Sequence, residues 1–303
     1  MNSKAPIVLF CFNRPMHTKK VLENLLKNEE AKDSDLFIFQ DGPRSIDDLI
    51  EVEKVQQVLQ NIEGFKCVYK FFSDKNLGLA TSVIRGLDYV FSKDYNSVIV
   101  LEDDILVSAD FLKFMNFGLS EFSKIDMISS VSGYSYQLEE YDSANIVNLV
   151  KRASSWGWGT WKSCWMSVDW QVKEYDSFIK DPAKISQFSL AGNDQIPMLM
   201  KQQLGVISSW AIRWTFFHYL TGTYCLVPRK SLVMNIGTDG SGTNFNSVRT
   251  NKYDTELNSI DIKKIPSNPE PSDSLNLWIK KKYTPSLQRR LINYFKYKTP
   301  LFI

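Results

Sequence analysis

The stretch "VIVLEDDILV", residues 98–107, runs apolar into three consecutive acids and out again. Read as a buried strand, it delivers Glu102, Asp103 and Asp104 to its C-terminal end. Adjacent carboxylates repel one another, and a buried unpaired charge costs several kcal/mol. A positive group is therefore expected to meet them.

The same pattern recurs on the N-terminal side. "PIVLFCF" (6–12), "DLFIFQDGP" (35–43) and "KCVYKFFS" (66–73) are short apolar runs bounded by turn residues, as buried strands are. Between them, residues 16–28 place Val21, Leu22, Leu25 and Leu26 on one helical face. Residues 45–62 do so with Leu49, Val52, Val55 and Val58, and 76–91 with Leu79, Val83, Leu87 and Val90. Strands alternating with helices predict an α/β fold whose central sheet is mostly parallel and carries helices on both faces. Strands covered on both faces explain continuous rather than alternating apolar runs. Ligands bind such sheets at the C-terminal strand ends, which here carry Asn13-Arg14, Asp41 and Glu102-Asp103-Asp104.

Beyond about residue 130 the pattern reads as irregular. Five of the eight Trp fall between 156 and 170, alternating with Gly157 and Gly159. "SSWAIRWTFFHYL" (208–220) reads as a helix and "NIGTDGSGTNF" (235–245) as a Gly-rich loop. Residues 1–250 are taken as the main domain. Residues 251–303 are taken as a linker followed by a basic amphipathic helical extension. From Lys280 to Lys298 there are seven basic residues and no acids, interleaved with Tyr283, Leu287, Leu291, Ile292, Tyr294, Phe295 and Tyr297. Two readings stand: a helix lying on an anionic membrane surface, or a solvated helix packing its apolar side on the main domain.

A net charge of +2 gives no electrostatic reason to expect nucleic acid as a partner. The cysteines Cys11, Cys67, Cys164 and Cys225 lack zinc or disulfide spacing, so a reducing cytoplasm is expected. The opening "MNSKAPIVLFCFNRP" has one Lys and an apolar run of about seven residues, unlike a signal peptide. No run reaches the roughly 20 apolar residues of a membrane span. His17 and His218 have no partner at ligand spacing and are expected in structural roles.

Residue types alone leave the acids with two readings. Hard oxygen ligands suit Mg²⁺ or Mn²⁺ together with substrate phosphates. Acids are equally at home before a helix such as "SADFLKFM" begins. "PIVLFCFNRP", "IFQDGP", "NLGLATSVIRGLDYVF", "VIVLEDDILVSADFL", "RASSWGWGTW", "SSWAIRW" and "SLVMNIGTDGSGTN" occur in that order across residues 5–245. In this series the chain resembles the GT-A fold glycosyltransferases, in particular a bacterial family distantly similar to N-acetylglucosaminyltransferase I.

The resemblance implies a GT-A-like, Rossmann-like α/β fold with a C-terminal helical extension. It also implies metal-dependent sugar transfer, with inversion, from a nucleotide-diphosphate donor, a UDP-sugar being favoured. The acceptor would be a glycan or lipid-linked molecule in surface-polysaccharide or lipopolysaccharide synthesis, in the cytoplasm or on the inner face of the plasma membrane. Asp104 would hold Mn²⁺ or Mg²⁺. Glu102 and Asp103 would contact donor sugar and ribose, Asp41 the base or ribose, and Arg14 the diphosphate, with Phe12, Asn13 and Asn76 beside them. By resemblance Trp210 and Arg213 would line the pocket. From the residues themselves, Gly157 and Gly159 leave space beside the flat rings of Trp156 and Trp158, so sugar contact by one of them and plain core packing both stand, whereas Trp161 and Trp165 are expected in the core.

The chain departs from the resemblance at the catalytic base. Relatives carry an acid in the segment matching "SSWAIRW", where this chain has Ser208, Ser209 and Ala211. Asp194 and Asp239 are the remaining candidates; each is equally compatible with a cap or a turn. That gap leaves a non-catalytic nucleotide-sugar or carbohydrate-binding protein as an alternative. A sugar nucleotidyltransferase ranks below it, because "NRP" replaces the expected Gly-rich loop after the first strand.

Overall fold

The structure is a computed structural model that describes residues 4–141, 145–237 and 253–299. Its first half is the expected alternation: β1 (Ile7–Cys11), α1 (Pro15–Leu25), β2 (Asp35–Gln40), α2 (Ile46–Leu59), β3 (Cys67–Phe72), α3 (Leu79–Phe91) and β4 (Ser97–Glu102). β1 pairs in parallel with β2 and β4, and β2 with β3. Side chains of β1 split between the two faces. Ile7, Leu9 and Cys11 enter one core with Val21, Leu22 and Leu25 of α1. Val8 and Phe10 enter another with Val83 and Leu87 of α3. Burial on both faces accounts for the unbroken apolar runs.

The second half contains β5 (Ile105–Val107), α4 (Phe111–Glu121), β6 (Ile128–Ser132), β7 (Val147–Val150) and β8 (Trp158–Trp161). Three short helices follow: α5 (Lys162–Met166), α6 (Tyr175–Phe178) and α7 (Pro182–Phe188). Then come α8 (Gln195–Gln203), α9 (Trp210–Thr221), β9 (Tyr224–Pro228), β10 (Val233–Asn235), α10 (Asp273–Lys282) and α11 (Leu287–Tyr297). The strands order as β3-β2-β1-β4-β8-β6-β9-β7. β8 enters antiparallel between β4 and β6, so a parallel four-stranded half continues into a mixed one. The region read as irregular thus extends the sheet. Gly159 permits this: a side chain there would collide with the Val98 carbonyl of β4.

The extension after 250 is likewise part of the body at its start. α10, N-capped by Ser272 accepting from the Leu275 amide at 3.2 Å, sinks Leu275 and Ile279 into the main core, together with Tyr283 just beyond it. No helix among the described residues is long and apolar enough to cross a membrane.

Candidate active site

Parallel pairing sets the site. Phe10 of β1 stands opposite Glu102 of β4, so the residues after each strand emerge side by side. The Phe12 amide donates to Asp103 Oδ2 at 3.2 Å. The Arg14 guanidinium donates to Asp103 Oδ1, and its second nitrogen lies 3.1 Å from Asp104 Oδ2. Arg14 is the positive group that the three acids require. Burial opposes its charge, but Asp103 and Asp104 outweigh burial and its pKa rises.

Burial dominates on the acid side. It lifts Asp103 to about 6 against the pull of Arg14. Burial, then the Asp104 and Asp103 charges, lift Glu102 to about 8. Asp104 differs from its neighbour: its Oδ1 is buried and has no hydrogen-bond partner among the described residues.

A short two-stranded sheet closes one side of the acids. β10 pairs antiparallel with β5, and the Ile236 amide donates to the Asp104 carbonyl at 2.8 Å. His17 Nε2 lies 3.3 Å from the Ile236 carbonyl. A side chain at Gly237 would collide with the Asp104 carboxylate and the Arg14 guanidinium. The sequence reading placed Gly237 in a loop and His17 in a structural role; the pairing of β5 with β10, which brings both to the acids, has no local sequence signal.

The other strand ends are occupied by the loops themselves. Asp41 Oδ1 accepts from the Leu77 and Gly42 amides at 2.7 and 3.0 Å, and Oδ2 from the Gly78 amide at 2.9 Å. Asp41, expected at the base or ribose, holds the entry of α3, where a helix N-terminus favours a carboxylate. Asn76 Nδ2 donates to the Gly42 carbonyl at 2.9 Å in the same knot. Asn13 donates to Asp48 at 2.6 Å. Arg44 pairs with that carboxylate at 2.8 Å and lies over the Phe12 ring at 4.8 Å. Phe12, Asn13, Asp41 and Asn76 therefore shape the loops around Arg14.

Four of the expected site residues are engaged within the fold. Trp158 is fully buried and Trp210 nearly so, their rings stacked 4.9 Å apart against Trp165 and Trp214. Rings without exposed faces form a core, not a sugar platform, as Trp161 and Trp165 do. Arg213 donates to the Ser209 and Trp170 carbonyls at 3.0 and 3.1 Å, bracing α9. Asp194 pairs with Arg152 through two contacts of 2.8 and 2.9 Å, which leaves it unsuited as a base. Asp239 lies outside the described residues.

Mg²⁺ and Mn²⁺ typically take one or two carboxylates, completing their shell with phosphates and waters. Among the described residues no three His, Cys, Asp or Glu side chains cluster to cage a metal. Asp104, with one buried unpartnered oxygen, fits a single-carboxylate seat. Asp103, with both oxygens already engaged, does not.

A parallel half-sheet with carboxylates at its C-terminal edge, extended by a mixed half, fits the GT-A-like α/β fold expected from the sequence. The family model that matches is glycosyltransferase family 25 (LPS biosynthesis protein), over residues 25–155, a span that includes Asp41 and Glu102–Asp104. Similar solved structures include a Desulfovibrio desulfuricans G20 protein assigned as a nucleotide-diphospho-sugar transferase, at 17% identity and TM-score 0.30, with 43% of this chain and 58% of that chain covered. Another is S. aureus TarS 1–349, at 11% identity and TM-score 0.39, with 75% of this chain and 59% of that chain covered. The chain thus spans under two thirds of either structure. No curated protein matches it.

Proposed function

We propose that the chain transfers a sugar from a nucleotide-diphosphate donor, UDP-linked for preference, to a glycan or lipid-linked acceptor in surface-polysaccharide or lipopolysaccharide assembly. The transfer inverts the anomeric carbon. The observation that carries this reading is the group Arg14, Asp103 and Asp104, in which one cation serves two acids and one buried acid oxygen has no partner among the described residues. Asp103 holds the guanidinium, whose planar fork orients diphosphate oxygens. Asp104 would hold Mn²⁺ or Mg²⁺, which when bound supplies Lewis-acid neutralisation of the departing diphosphate. Glu102, at the strand end, faces the sugar side.

The acceptor hydroxyl must still lose its proton to a base. With Asp194 committed to Arg152, Asp239, two residues along the chain from Gly237, is the acid we assign to that step. The four cysteines are free, Cys67 exposed among them, which supports a reducing cytoplasmic setting.

Calorimetry with UDP- and GDP-sugars in Mn²⁺ tests the reading. A UDP-sugar is expected to bind the natural chain and to lose affinity for Asp104→Ala. Absence of donor binding, or unchanged binding by the variant, would overturn it. A second reading, a binding protein without turnover, is favoured by one observation: the segment in which relatives carry an acid has none here, and its Ser209 serves as a helix cap. Metal-dependent donor hydrolysis supports the enzyme; tight binding without hydrolysis supports the alternative.

A further inference from the structure

α11 packs on the body with its polar side. Ser286 caps it, accepting from the Arg289 amide at 3.3 Å. At 3.6 residues per turn, Leu287, Leu291, Tyr294 and Phe295 share one face with Ile292 at its border. Asn293 and Tyr297 lie on the opposite side. Asn293 is 4% exposed and Tyr297 half-buried, whereas Phe295 is 70% and Leu287 67% exposed. Leu291, Ile292 and Tyr294 are exposed as well. A helix serving only its own domain would turn the other way. This excludes the bland reading of the tail, in which its apolar side covers the main domain.

Charge says what covers that face. Arg289 and Lys296 border it beyond Ile292, and both are exposed. Lys201 of α8 joins them, its ammonium 4.8 Å over the Tyr297 ring. Its pKa is lowered by burial and then by Arg289 and Lys296, which marks three cations crowded together. No acid follows Asp273 in the sequence. Like charges gathered beside exposed apolar side chains call for a partner that is both anionic and oily.

We propose that α11 seats the protein on an anionic lipid bilayer, with Leu287, Leu291, Ile292 and Phe295 entering the headgroup–acyl boundary. Arg289 and Lys296, at the border of that face, meet lipid phosphates there. This is independent of sugar transfer. The bilayer binds the side of α11 that faces away from α8, so the body sits above it.

Vesicle flotation of the full chain tests the proposal, with phosphatidylcholine vesicles prepared with and without phosphatidylglycerol. Binding is expected to the anionic vesicles only and to weaken with salt. The double variant Leu291→Ser/Phe295→Ser should bind ~10-fold or more weakly, since each loses buried apolar area. Arg289→Glu/Lys296→Glu should lose the preference for phosphatidylglycerol. Both pairs are exposed, and an unchanged circular dichroism spectrum checks their folding. The proposal is overturned if the natural chain ignores anionic vesicles or if the Leu291/Phe295 variant floats like it. It is equally overturned if light scattering shows a dimer that this variant converts to monomer, since the face then covers a second copy.

Discussion

Two arginines bring carboxylates into this molecule, and they do so in opposite ways. Arg152 forms a closed network. It grips Asp194 through both terminal nitrogens, donates to the Ala191 carbonyl at 2.9 Å and lies 4.2 Å over the Tyr283 ring. The Gln195 amide, turned as its surroundings require, presents its oxygen to the same guanidinium at 2.7 and 3.0 Å. Arg14 forms an open network, shared between Asp103 and Asp104, with Asp104 Oδ1 unpartnered among the described residues. Burial and like charge lift Glu102 and Asp103 beside it. A closed network resists loss of a member, because any loss strands a buried charge. An open one has capacity for a ligand at the cost of local stability.

The closed network should give the largest effect. Asp194→Ala strands the Arg152 guanidinium and is expected to lower unfolding stability by about 3–5 kcal/mol, read as a drop in urea midpoint. Donor hydrolysis per folded molecule should be unchanged. A stable but inactive Asp194→Ala protein would instead return Asp194 to the role of base. In the open network the signs reverse. Asp104→Asn is isosteric and should leave the urea midpoint nearly unmoved, yet reduce transfer by ~10²–10³, the scale at which one preorganised charged group acts. Full activity in that variant would remove Asp104 from the site.

The open network was legible in the sequence and the closed one was not, for a physical reason. Glu102–Asp104 stand out because charge at the end of an apolar run needs an explanation wherever the chain goes. Asp194 looks like any loop acid, since its partner lies 42 residues away. Asp41 misleads similarly: a strand-end acid is as good at holding the Leu77 and Gly78 amides as at holding a ligand. The fold divides along the same line. β1 to β4 are legible because burial on both faces makes them uniformly apolar. β6 and β8 are not: "ISSVS" and "WGTW" carry hydroxyls that periodicity counts as solvent-facing. Those hydroxyls are buried, Thr160 donating to the Ser129 carbonyl at 2.7 Å and Ser132 to the Trp156 carbonyl at 3.2 Å.

His218 offers a third environment, a buried titratable side chain with no charge beside it. Its Nε2 lies 3.2 Å from Ser130 Oγ, Trp214 packs edge-on at 4.9 Å, and Nδ1 has no partner among the described residues. Burial pushes its pKa down to about 3. The folded chain therefore binds fewer protons than the unfolded one between about pH 6.5 and about 3. Stability is complete above that window and falls as pH drops through it, by roughly 2 kcal/mol from pH 8 to pH 5. Glu102 and Asp103, raised rather than lowered, titrate with the opposite sign. The contribution of His218 is thus the natural chain minus His218→Gln, measured by urea denaturation at both pH values. Equal slopes would mean that His218 is not held neutral.

Ser209 tests the smallest difference and the most direct one for the base. Its hydroxyl accepts from the Ile212 amide at 3.3 Å, and its own amide donates to Gln202 Oε1 at 2.6 Å. Both bonds serve the start of α9. As a cap alone, Ser209→Ala should cost about 1 kcal/mol of stability and leave transfer unchanged, while Ser209→Asp, an equally good cap, should be close to neutral in stability. Because Asp also places an acid in the segment where relatives carry one, its activity separates two possibilities that stability does not. A faster Ser209→Asp enzyme would mean that the cleft can still use a base at the head of α9 and that this chain's own base is a weaker substitute. Unchanged turnover in both variants would assign the head of α9 to folding alone and leave the proton to the chain beyond Gly237.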